Sequence, residues 1–414
     1  MTSAPTVAVI GGGPGGLIAA ERLASAGLSV TVYEHMPSVG RKFLLAGRGG
    51  LNITHSEPLE RLMERYGAAA PALAGAIARF DPAALRAWVS GLGEETFVGS
   101  SGRVFPQSFR ATPLLRAWLD RLRGLGVEIL TRHRWTGFAD AATGLALTFV
   151  VDGADDAVVV TPDAVVLALG GASWPKVGSD AAWVPLLESR GVSVATLRPA
   201  NCGFVAEWTD VFRERFAGVP LKNVSLSIDG ATARGEAMIT ETGLEGGVVY
   251  AIGATIRDRI EADGAAVVRV DLQPDMDVER LTERLRRRRP KESATSALRK
   301  GAGLSAPAVA LLREATGNQL PSEPAELAAL IGSVPVRLVG CEPVERAIST
   351  AGGVGLDEID SSMMLRRCPG VFVAGEMLDW EAPTGGYLLQ ATFSTGVAAA
   401  DGVLAWLEAD RPTG

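Results

Sequence analysis

Cysteine and histidine are scarce, because each occurs only three times in 414 residues. The cysteines, Cys202, Cys341 and Cys368, are far apart in the sequence, and none belongs to a C-x-x-C pair. This argues against a disulfide-stapled secreted fold and against a dithiol reductase, so we expect three buried or inert thiols and no redox-active disulfide. No two histidines have metal-ligand spacing, and we therefore predict no metal site.

Long apolar runs and an excess of positive charge are also missing. No run approaches the roughly 18 residues needed to cross a bilayer, and the first residues do not read as a signal peptide. We therefore expect a cytoplasmic protein that does not enter membranes. The formal net charge of -7 provides no overall field for nucleic acid, so a small-molecule substrate is the favoured partner. The sequence specifies no oligomeric state.

Glycine is abundant by contrast, and its first cluster follows a strand-like run. Residues 6–10 (TVAVI) are typical of a buried parallel strand, while 17–26 and 28–34 are typical of a helix and a second strand. The turn between the first strand and the helix has the spacing G-x-G-x-x-G, which in this context predicts a dinucleotide site. Its candidate binding residues are Gly11, Gly13, Pro14, Gly15 and Gly16.

The spacing of the glycines in this turn has a physical reason. Gly11 permits the tight turn, Gly13 lets the backbone approach a pyrophosphate, and Gly16 lets the helix pack close to the strand. The phosphate would face free N–H groups at the positive end of the helix dipole. Glu34 ends the second strand, where it can accept hydrogen bonds from ribose hydroxyls and would repel a 2′-phosphate, so NADP is disfavoured here. The alternative is a structural glycine turn with a surface glutamate.

The far end of the chain distinguishes FAD from NAD. Residues 371–376 (VFVAGE) read as a strand that ends in a glycine and an acid, and PTGG at 383–386 precedes a long apolar helix over 387–408. The carboxylate could accept from a ribityl hydroxyl, and the helix N-terminus could stabilise negative charge on a reduced flavin. An NAD site at the first turn would need no second element of this kind, so the pattern favours FAD.

A basic loop follows the second strand. Arg41, Lys42 and Arg48 could contact a cofactor phosphate or the flavin ring, where a cation stabilises the reduced anion, or they could form a solvated basic loop. Asn52 could hydrogen-bond the flavin edge or serve only to form a turn. The residues alone leave these alternatives open.

Six segments together resemble a known family of bacterial flavoproteins. They are Val9–Ala20, Gly40–Thr54, Gly102–Pro106, Leu167–Gly178, Thr350–Gly355 and Val373–Gln390. The chain is similar to the HI0933-like, or BaiN-like, family of NAD(P)/FAD-dependent oxidoreductases. Two departures are visible: Leu51 stands where the family commonly has the cysteine of GGGRCN, and the SGPA-like segment is present only as Thr242–Gly247.

The resemblance implies an FAD site that includes the first turn, Glu34, and three further parts of the chain. These further candidates are Arg41, Lys42, Arg48, Gly49, Gly50, Asn52, Ala168, Gly170, Gly375, Glu376, Gly385, Gly386, Tyr387 and Gln390. The resemblance also implies hydride transfer through flavin N5, with NAD(P)H or a reduced substrate as donor. It identifies neither the acceptor nor a catalytic acid or base.

The predicted fold class is α/β, with a three-layer Rossmann-type FAD-binding domain and an inserted β-plus-α domain. We assign residues 1–198 and 346–414 to the FAD-binding domain, and 199–345 to an inserted substrate or cap domain. Residues 35–58 are expected to form a long loop. Strands at 127–131 and 145–151 are expected to belong to a meander.

Two remaining motifs bear on the partners. Gly301-x-Gly303 follows a charged helical stretch instead of a strand, so it is not a second dinucleotide turn, and NAD(P)H would bind only transiently. Arg284 and Arg286–Arg289 continue a helix with an apolar face, which favours a solvated face over a nucleic-acid patch. Two alternative functions stay open: a flavin-binding redox sensor without turnover, and a nucleic-acid-modifying flavoprotein.

Overall fold

The computed structural model describes residues 4–140, 144–154, 156–287 and 293–409. The β-strands are β1 (Thr6–Ile10), β2 (Ser29–Glu34), β3 (Thr54–His55), β4 (Thr96–Val98), β5 (Arg103–Pro106), β6 (Glu128–Thr131), β7 (His133–Phe138), β8 (Leu147–Val151), β9 (Val158–Val160), β10 (Ala164–Leu167), β11 (Val194–Ala200), β12 (Phe204–Ala206), β13 (Pro220–Ile228), β14 (Ala231–Ile239), β15 (Gly243–Glu245), β16 (Ala266–Asp271), β17 (Val334–Cys341), β18 (Ser349–Val354) and β19 (Val371–Val373). The α-helices are α1 (Pro14–Ser25), α2 (Arg41–Ala46), α3 (Leu59–Glu64), α4 (Ala70–Arg79), α5 (Pro82–Gly91), α6 (Ala111–Gly124), α7 (Val184–Glu188), α8 (Asp210–Phe216), α9 (Gly247–Ala251), α10 (Gly253–Asp263), α11 (Val278–Arg286), α12 (Ala294–Lys300), α13 (Ala306–Ala315), α14 (Pro324–Ile331) and α15 (Tyr387–Ala409). Short 3-10 turns lie at Gly47–Gly49, Gly67–Ala69, Pro175–Val177, Val344–Arg346 and Gly375–Met377.

The chain divides into two compact units. The first comprises the residues up to Arg198 and those from Ser349 onward, and the second is Pro199–Ile348. The predicted α/β fold class, with a Rossmann-type domain and a β-plus-α insertion, is confirmed. The role of the second unit as a substrate or cap domain stays a prediction.

A five-stranded parallel sheet organises the first unit. Its strand order is β19-β10-β1-β2-β6. The central strands are short apolar runs buried on both faces, as parallel strands usually are. Because all five strands run in the same direction, their carboxyl ends meet at one edge, which is where open α/β sheets bind ligands.

The meander prediction is wrong for the first of its two strands. β6 joins the parallel sheet, with Glu128 as the register partner of Thr31 in β2. Helix α6 comes directly before β6 and returns the chain to the start of the sheet, which makes the strand parallel. The second strand, β8, does belong to an antiparallel sheet, between β7 and β9.

The parallel sheet is covered by different layers on its two faces. Helix α1 packs on the face of Val9, because a Cβ built on Gly16 would lie 3.2 Å from Val9 Cγ1. On the opposite face, the Tyr33 ring stacks on Phe149 of β8, with centroids 4.3 Å apart. The unit is therefore built of helices, the parallel sheet and the small antiparallel sheet.

Helix α15 is long and apolar enough to cross a membrane by length and composition. The expectation that no apolar run reaches this length is therefore wrong. However, 67% of its most apolar window is buried inside the protein. A Cβ on Gly396 of this helix would lie 2.5 Å from the Gly15 carbonyl oxygen, so α15 packs tightly against α1. Its apolar surface is accounted for by the core of this unit.

The prediction of a long loop over residues 35–58 is wrong for the middle of this segment. The chain there forms helix α2, the turn Gly47–Gly49 and strand β3, which pairs with β5. Gly40, at φ +70°, is the N-cap of α2, and a Cβ there would meet the side chain of Leu115. Tertiary packing thus orders a segment whose own sequence carries little periodicity.

The second unit contains a closed β-barrel with the strand order β12-β15-β14-β13-β16-β17. Closure of its strands into a barrel was not predicted from the sequence. Helix α11 carries Arg284 and Arg286 and buries Leu281 and Leu285, as expected for a solvated basic face. Arg288 and Arg289 of the same basic run lie outside the described residues.

Candidate cofactor site

The glycine turn between β1 and α1 is shaped by two steric constraints. Gly11 has φ +107°, and a Cβ there would come within 2.3 Å of the Ala168 carbonyl oxygen. A Cβ on Gly16 would come within 2.0 Å of the Gly11 carbonyl oxygen. Neither position has room for a side chain, so the turn, α1 and β10 approach each other as closely as their backbones allow.

Gly13 differs from these glycines because it is open. A Cβ at Gly13 would have nothing within 4 Å. Gly13 is the N-cap of α1, and Pro14 is the first helical residue. The space beside Gly13 is therefore open at the end of α1 where the first N–H groups lack partners within the helix, which is the arrangement that binds a phosphate group. The predicted pyrophosphate position fits this geometry.

The Glu34 carboxylate accepts hydrogen bonds from backbone N–H groups in and beside the glycine turn. Its Oε2 accepts a hydrogen bond from the Gly12 N–H at 2.9 Å, and its Oε1 accepts one from the Met36 N–H at 2.8 Å. An ionised carboxylate has about four acceptor positions, so two bonds leave capacity for the predicted ribose hydroxyls. Sequence reasoning missed Gly12, where a Cβ would meet Val39 Cγ1 at 2.4 Å.

We expect Glu34→Ala to weaken FAD binding by about 1–3 kcal/mol, because charge-assisted hydrogen bonds to ribose are lost. The apoprotein should also lose about 1–3 kcal/mol of stability, since the N–H groups of Gly12 and Met36 lose their acceptor. Fluorescence titration with FAD and urea unfolding of the apoprotein measure the two effects separately. Glu128→Ala, on the neighbouring strand β6, is the control. An unchanged dissociation constant for Glu34→Ala would mean that Glu34 only supports the turn.

The C-terminal segment lies directly against the glycine turn. A Cβ on Gly15 would be 3.7 Å from the Cα of Gly375, which follows β19. The Gly375 N–H donates to Thr395 Oγ1 of α15 at 2.9 Å. The structure therefore brings together the two parts of the chain that the sequence assigned to one cofactor.

Glu376 and Lys42 form an ion pair beside this junction, with 2.7 Å between Oε2 and Nζ. Lys42 also donates to Ser173 Oγ at 2.5 Å, and the second oxygen of Glu376 accepts the Thr350 N–H at 3.0 Å. Lys42 is thus held by defined partners and is not part of a solvated basic loop. The structure places one fixed cation and one fixed anion next to the glycine turn.

Five buried polar atoms of the first unit have no hydrogen-bond partner among the described residues: Arg41 Nε, Asn52 Oδ1, Ser179 Oγ, Trp118 Nε1 and Trp135 Nε1. Buried polar groups are otherwise nearly always bonded. Ser179 Oγ would lie 3.2 Å from a Cβ on Gly170, a residue at φ +74° that also faces Glu376. A polar ligand would complete the hydrogen bonding of Arg41 Nε, Asn52 Oδ1 and Ser179 Oγ, so these three residues suit the predicted cofactor.

In the loop after α2, some residues are accessible to a ligand and others are packed against the protein. Arg48 is exposed, and a Cβ on Gly49 would have nothing within 4 Å. Gly50, at φ +107°, is packed instead, because a Cβ there would lie 2.3 Å from the Phe109 ring. Arg48 and Gly49 therefore remain available to a ligand, whereas Gly50 is required by the fold.

The last part of the predicted segment serves packing. A Cβ on Gly386 would meet the Thr54 carbonyl oxygen at 2.4 Å. Gln390 is fully buried; its Oε1 accepts from Thr54 Oγ1 at 2.6 Å, and its Nε2 donates to the carbonyl oxygen of Phe80 and to Ser394 Oγ. Each polar atom of Gln390 is bonded within the protein, so the structure gives this residue a packing role.

Tyr387 belongs to a buried aromatic contact at the start of α15. Its ring stacks on His55 with centroids 5.3 Å apart, and its carbonyl oxygen accepts from Tyr66 Oη at 2.9 Å. Burial and a hydrogen bond to Glu57 raise the pKa of Tyr387 above the ordinary phenol value, so the phenol is neutral at physiological pH. Gly385, at φ +137°, faces the same ring. Contact of Gly385 or Tyr387 with a cofactor stays a prediction.

Sequence reasoning missed a cleft at the carboxyl ends of β1 and β2. Its free volume is about 20 Å³, which is room for about one water molecule. The cleft is lined by Ile10, Tyr33, His35, His133, Arg134, Trp135, Leu169, Asp180, Ala182 and Trp183. Its His35 Nδ1 lies 3.3 Å from Glu34 Oε1, so the cleft adjoins the predicted ribose position. Because these residues come from separate stretches of the chain, no local motif pointed to them.

The family comparison agrees with this geometry. The profile of the HI0933-like protein Rossmann domain matches residues 5–402. This chain belongs to that family. Its members are Rossmann-type FAD-dependent oxidoreductases, so the resemblance seen in the sequence and the FAD-binding fold are confirmed.

Two curated relatives match the HI0933-like chain over nearly its whole length. A 3-dehydro-bile acid delta(4,6)-reductase of Clostridium scindens is 27% identical over 95% of this chain and 97% of that protein. A ribosomal RNA dihydrouridine synthase of Escherichia coli is 25% identical over 96% of this chain and 97% of that protein. The two names describe very different substrates, so family membership leaves the substrate open.

Solved structures share the fold of this HI0933-like protein. A flavocytochrome c3 fumarate reductase aligns with a TM-score of 0.53 at 15% identity, covering 98% of this chain and 79% of that chain. A 3-ketosteroid delta1-dehydrogenase from Sterolibacterium denitrificans also gives 0.53, at 13% identity, covering 97% of this chain and 100% of that chain. At these identities the similarity establishes the architecture alone.

The two departures from the HI0933-like pattern have different structural settings. Leu51, which replaces the family's cysteine, is fully buried in the core of the first unit and contributes packing. Thr242–Gly247 forms the turn that enters β15 and then α9 of the second unit. A Cβ on Gly243 would lie 1.8 Å from the Phe204 carbonyl oxygen, so this turn is fixed by barrel packing.

Proposed function

We propose that this protein is an FAD-dependent reductase that takes hydride from NAD(P)H and delivers it to a small molecule with a carbon–carbon double bond activated by a carbonyl group. The observation that carries the proposal is the open helix N-terminus at Gly13 next to the fixed Lys42–Glu376 pair. The names of the relatives support the direction of transfer. One is a reductase, and dihydrouridine differs from uridine by two hydrogen atoms on one carbon–carbon double bond.

The residues of the first unit divide the binding of FAD among them. The N-terminus of α1 at Gly13 would hold the pyrophosphate, and Glu34 would hold the ribose. The unpartnered atoms of Asn52 and Ser179 would bond polar parts of the cofactor. When bound, FAD would accept the hydride from the nicotinamide and return it to the substrate.

The protein's own contribution to the chemistry is a preorganised electrostatic site. Ser173 and Glu376 fix the Lys42 ammonium, and the Thr350 backbone N–H orients Glu376. Because these partners are already in place, the cation need not reorganise when negative charge develops nearby. Lys42→Met should therefore slow reduction more than it weakens FAD binding.

The proposal is tested by turnover of the purified, FAD-loaded protein with NAD(P)H under anaerobic conditions. Conjugated enones are the probe acceptors, and their saturated ketones are the matched controls. We expect NAD(P)H consumption with enones alone, and loss of the double bond by mass spectrometry. A protein that neither carries nor takes up FAD contradicts the proposal. FAD binding without turnover of any acceptor would favour the redox-sensor alternative.

A second candidate is reduction of a base in RNA. It is favoured by the 25% identity to a ribosomal RNA dihydrouridine synthase and by an exposed aromatic ring, Phe109, which is followed by the exposed Arg110. Aromatic rings and arginines together hold single-stranded nucleic acid. Uridine-rich RNA should then bind with strong salt dependence and gain two hydrogen atoms. Because the net charge of -7 provides no overall attraction for RNA, we favour a small-molecule substrate over RNA.

We expect NAD(P)H to saturate the reduction of FAD only with a dissociation constant on the order of 0.1–1 mM, or roughly -4 to -5.5 kcal/mol. The physical reason is that Gly301 ends helix α12 and follows no strand, so this segment offers no second strand–turn–helix phosphate site. Stopped-flow absorbance at the flavin band, over a nicotinamide concentration series, measures the constant. Saturation at low micromolar concentration would reveal a dedicated nicotinamide site instead.

A further inference from the structure

Two of the three cysteines are neighbours in the barrel, although they lie far apart in the sequence. Phe204 of β12 is the register partner of Cys341 of β17, and the carbonyl oxygen of Gly203 accepts the Glu342 N–H at 2.8 Å. Cys202 precedes Phe204 by two residues. In extended chain this places the side chains of Cys202 and Cys341 on the same face, as diagonal neighbours across the two strands.

The two thiols also influence each other's titration. The neighbouring Cys202 thiol is the main influence that lowers the pKa of Cys341, and the Cys341 thiol, together with burial, raises the pKa of Cys202. The buried guanidinium of Arg257 lowers both pKa values, while the carboxylates of Glu261 and Asp258 oppose it at Cys341. The shifts make Cys341 the sulfur that loses its proton more readily and Cys202 the one that keeps it, which is the usual division of roles in a reactive thiol pair.

The cysteine with the lowered pKa is also the more exposed of the two. Cys202 is 3% exposed, whereas Cys341 is only half-buried at the end of β17. A small oxidant therefore reaches Cys341 first. Cys368 lies in the first unit, and burial raises the pKa of its thiol, so it provides an internal comparison.

We infer that Cys202 and Cys341 are a peroxide-sensitive pair that forms a reversible disulfide in the folded protein. The Cys341 thiolate attacks one oxygen of hydrogen peroxide, breaks the O–O bond, and becomes a sulfenic acid while hydroxide leaves. The Cys202 sulfur then attacks the sulfenic sulfur, the S–S bond forms, and a second hydroxide leaves as water with the thiol proton. Per disulfide, two thiols are oxidised and one peroxide is reduced to two molecules of water.

This disulfide would bridge the second unit near both of its ends, since the unit is Pro199–Ile348. Nearly all of the barrel and its helices would lie inside the closed loop. A cross-link restricts the unfolded chain, and a longer loop gives a larger effect. We therefore expect oxidation to raise the melting temperature of this unit by at least about 5 °C.

The test uses the intact, reduced protein treated with hydrogen peroxide under native conditions. After denaturation, the count of free thiols should fall from three to one, the mass should fall by two hydrogen atoms, and dithiothreitol should reverse both changes. Cys202→Ser should stop at a sulfenic acid on Cys341, which dimedone traps. Cys341→Ser should leave the remaining thiols unreacted. Cys368→Ser is the matched control and should form the disulfide as the wild type does.

An electron count provides an independent readout on the FAD-loaded protein. Anaerobic reduction should need about two electrons per chain when the thiols are reduced, and about four after peroxide, because flavin and disulfide each take two. Three titratable thiols after native peroxide treatment would overturn the inference. So would a disulfide that forms only in urea, because the pair would then require unfolding.

Discussion

Gly16→Ala is expected to destabilise the apoprotein by about 3 kcal/mol or more, although it adds a single methyl group. The new Cβ would stand 2.0 Å from the carbonyl oxygen of Gly11 and 3.2 Å from Val9 Cγ1. Its nearest neighbour is backbone, and Gly11 is itself held at φ +107° against Ala168, so the clash cannot be relieved by rotating a side chain. Helix α1 would have to move away from the sheet. Urea unfolding of the FAD-free protein measures the loss.

Gly75→Ala is the matched control for this substitution. Gly75 lies inside helix α4, is exposed, and would place its Cβ in open space. Alanine there should stabilise the protein by up to about 1 kcal/mol, because glycine is the poorer helix former. If Gly16→Ala unfolds at the same urea concentration as wild type, then α1 does not pack on β1 as closely as the structure describes.

The part of the site that the sequence predicted well is local in the chain. β1, the glycine turn, α1 and β2 occupy residues 6–34, and each carries its own pattern within a few positions. The physical reasons for Gly11, Gly13 and Gly16 follow from the turn and the helix N-terminus alone. Such features could be predicted because no distant partner is needed to specify them.

The part that was missed depends on partners far away in sequence. Lys42 meets Glu376, and Gln390 meets Thr54 and Phe80, across more than three hundred residues. A motif indicates that Gln390 matters, but only the packed structure shows that its amide is used inside the core. The same limit explains Cys202 and Cys341, whose contact is created by the register of β12 against β17.

Order in the segment 41–55 was missed for a related reason. Its helix and strand are short, and β3 gains its hydrogen bonds from β5, about fifty residues later. Similarly, β6 reads as a short strand of either type until its pairing with β2 is known. Periodicity identifies elements that pack by their own amphipathic face, and it says little about those that are ordered by their neighbours.

Gly13→Ser is expected to separate cofactor binding from folding, with effects of opposite sign. The backbone of Gly13 has φ -83° and ψ 178°, which serine adopts without strain, and Gly13 makes no side-chain cap bond to α1. A serine hydroxyl there would accept from an N–H of the first helical turn, so the stability of the apoprotein should be unchanged or higher by a few tenths of a kcal/mol.

The same hydroxyl should weaken FAD binding about 100-fold, or roughly 2.7 kcal/mol. It would occupy the open space at the helix N-terminus and would take an N–H that the pyrophosphate needs. Gly13→Ala adds the Cβ without the hydroxyl. Comparing the two variants therefore separates the loss of affinity caused by steric exclusion from the loss caused by competition for the N–H group. FAD titration and urea unfolding are measured on both variants. If both variants bind FAD with wild-type affinity, the pyrophosphate lies away from α1. If affinity is lost while the apoprotein keeps its stability, the pyrophosphate lies at Gly13, because only a ligand needs this space to stay open.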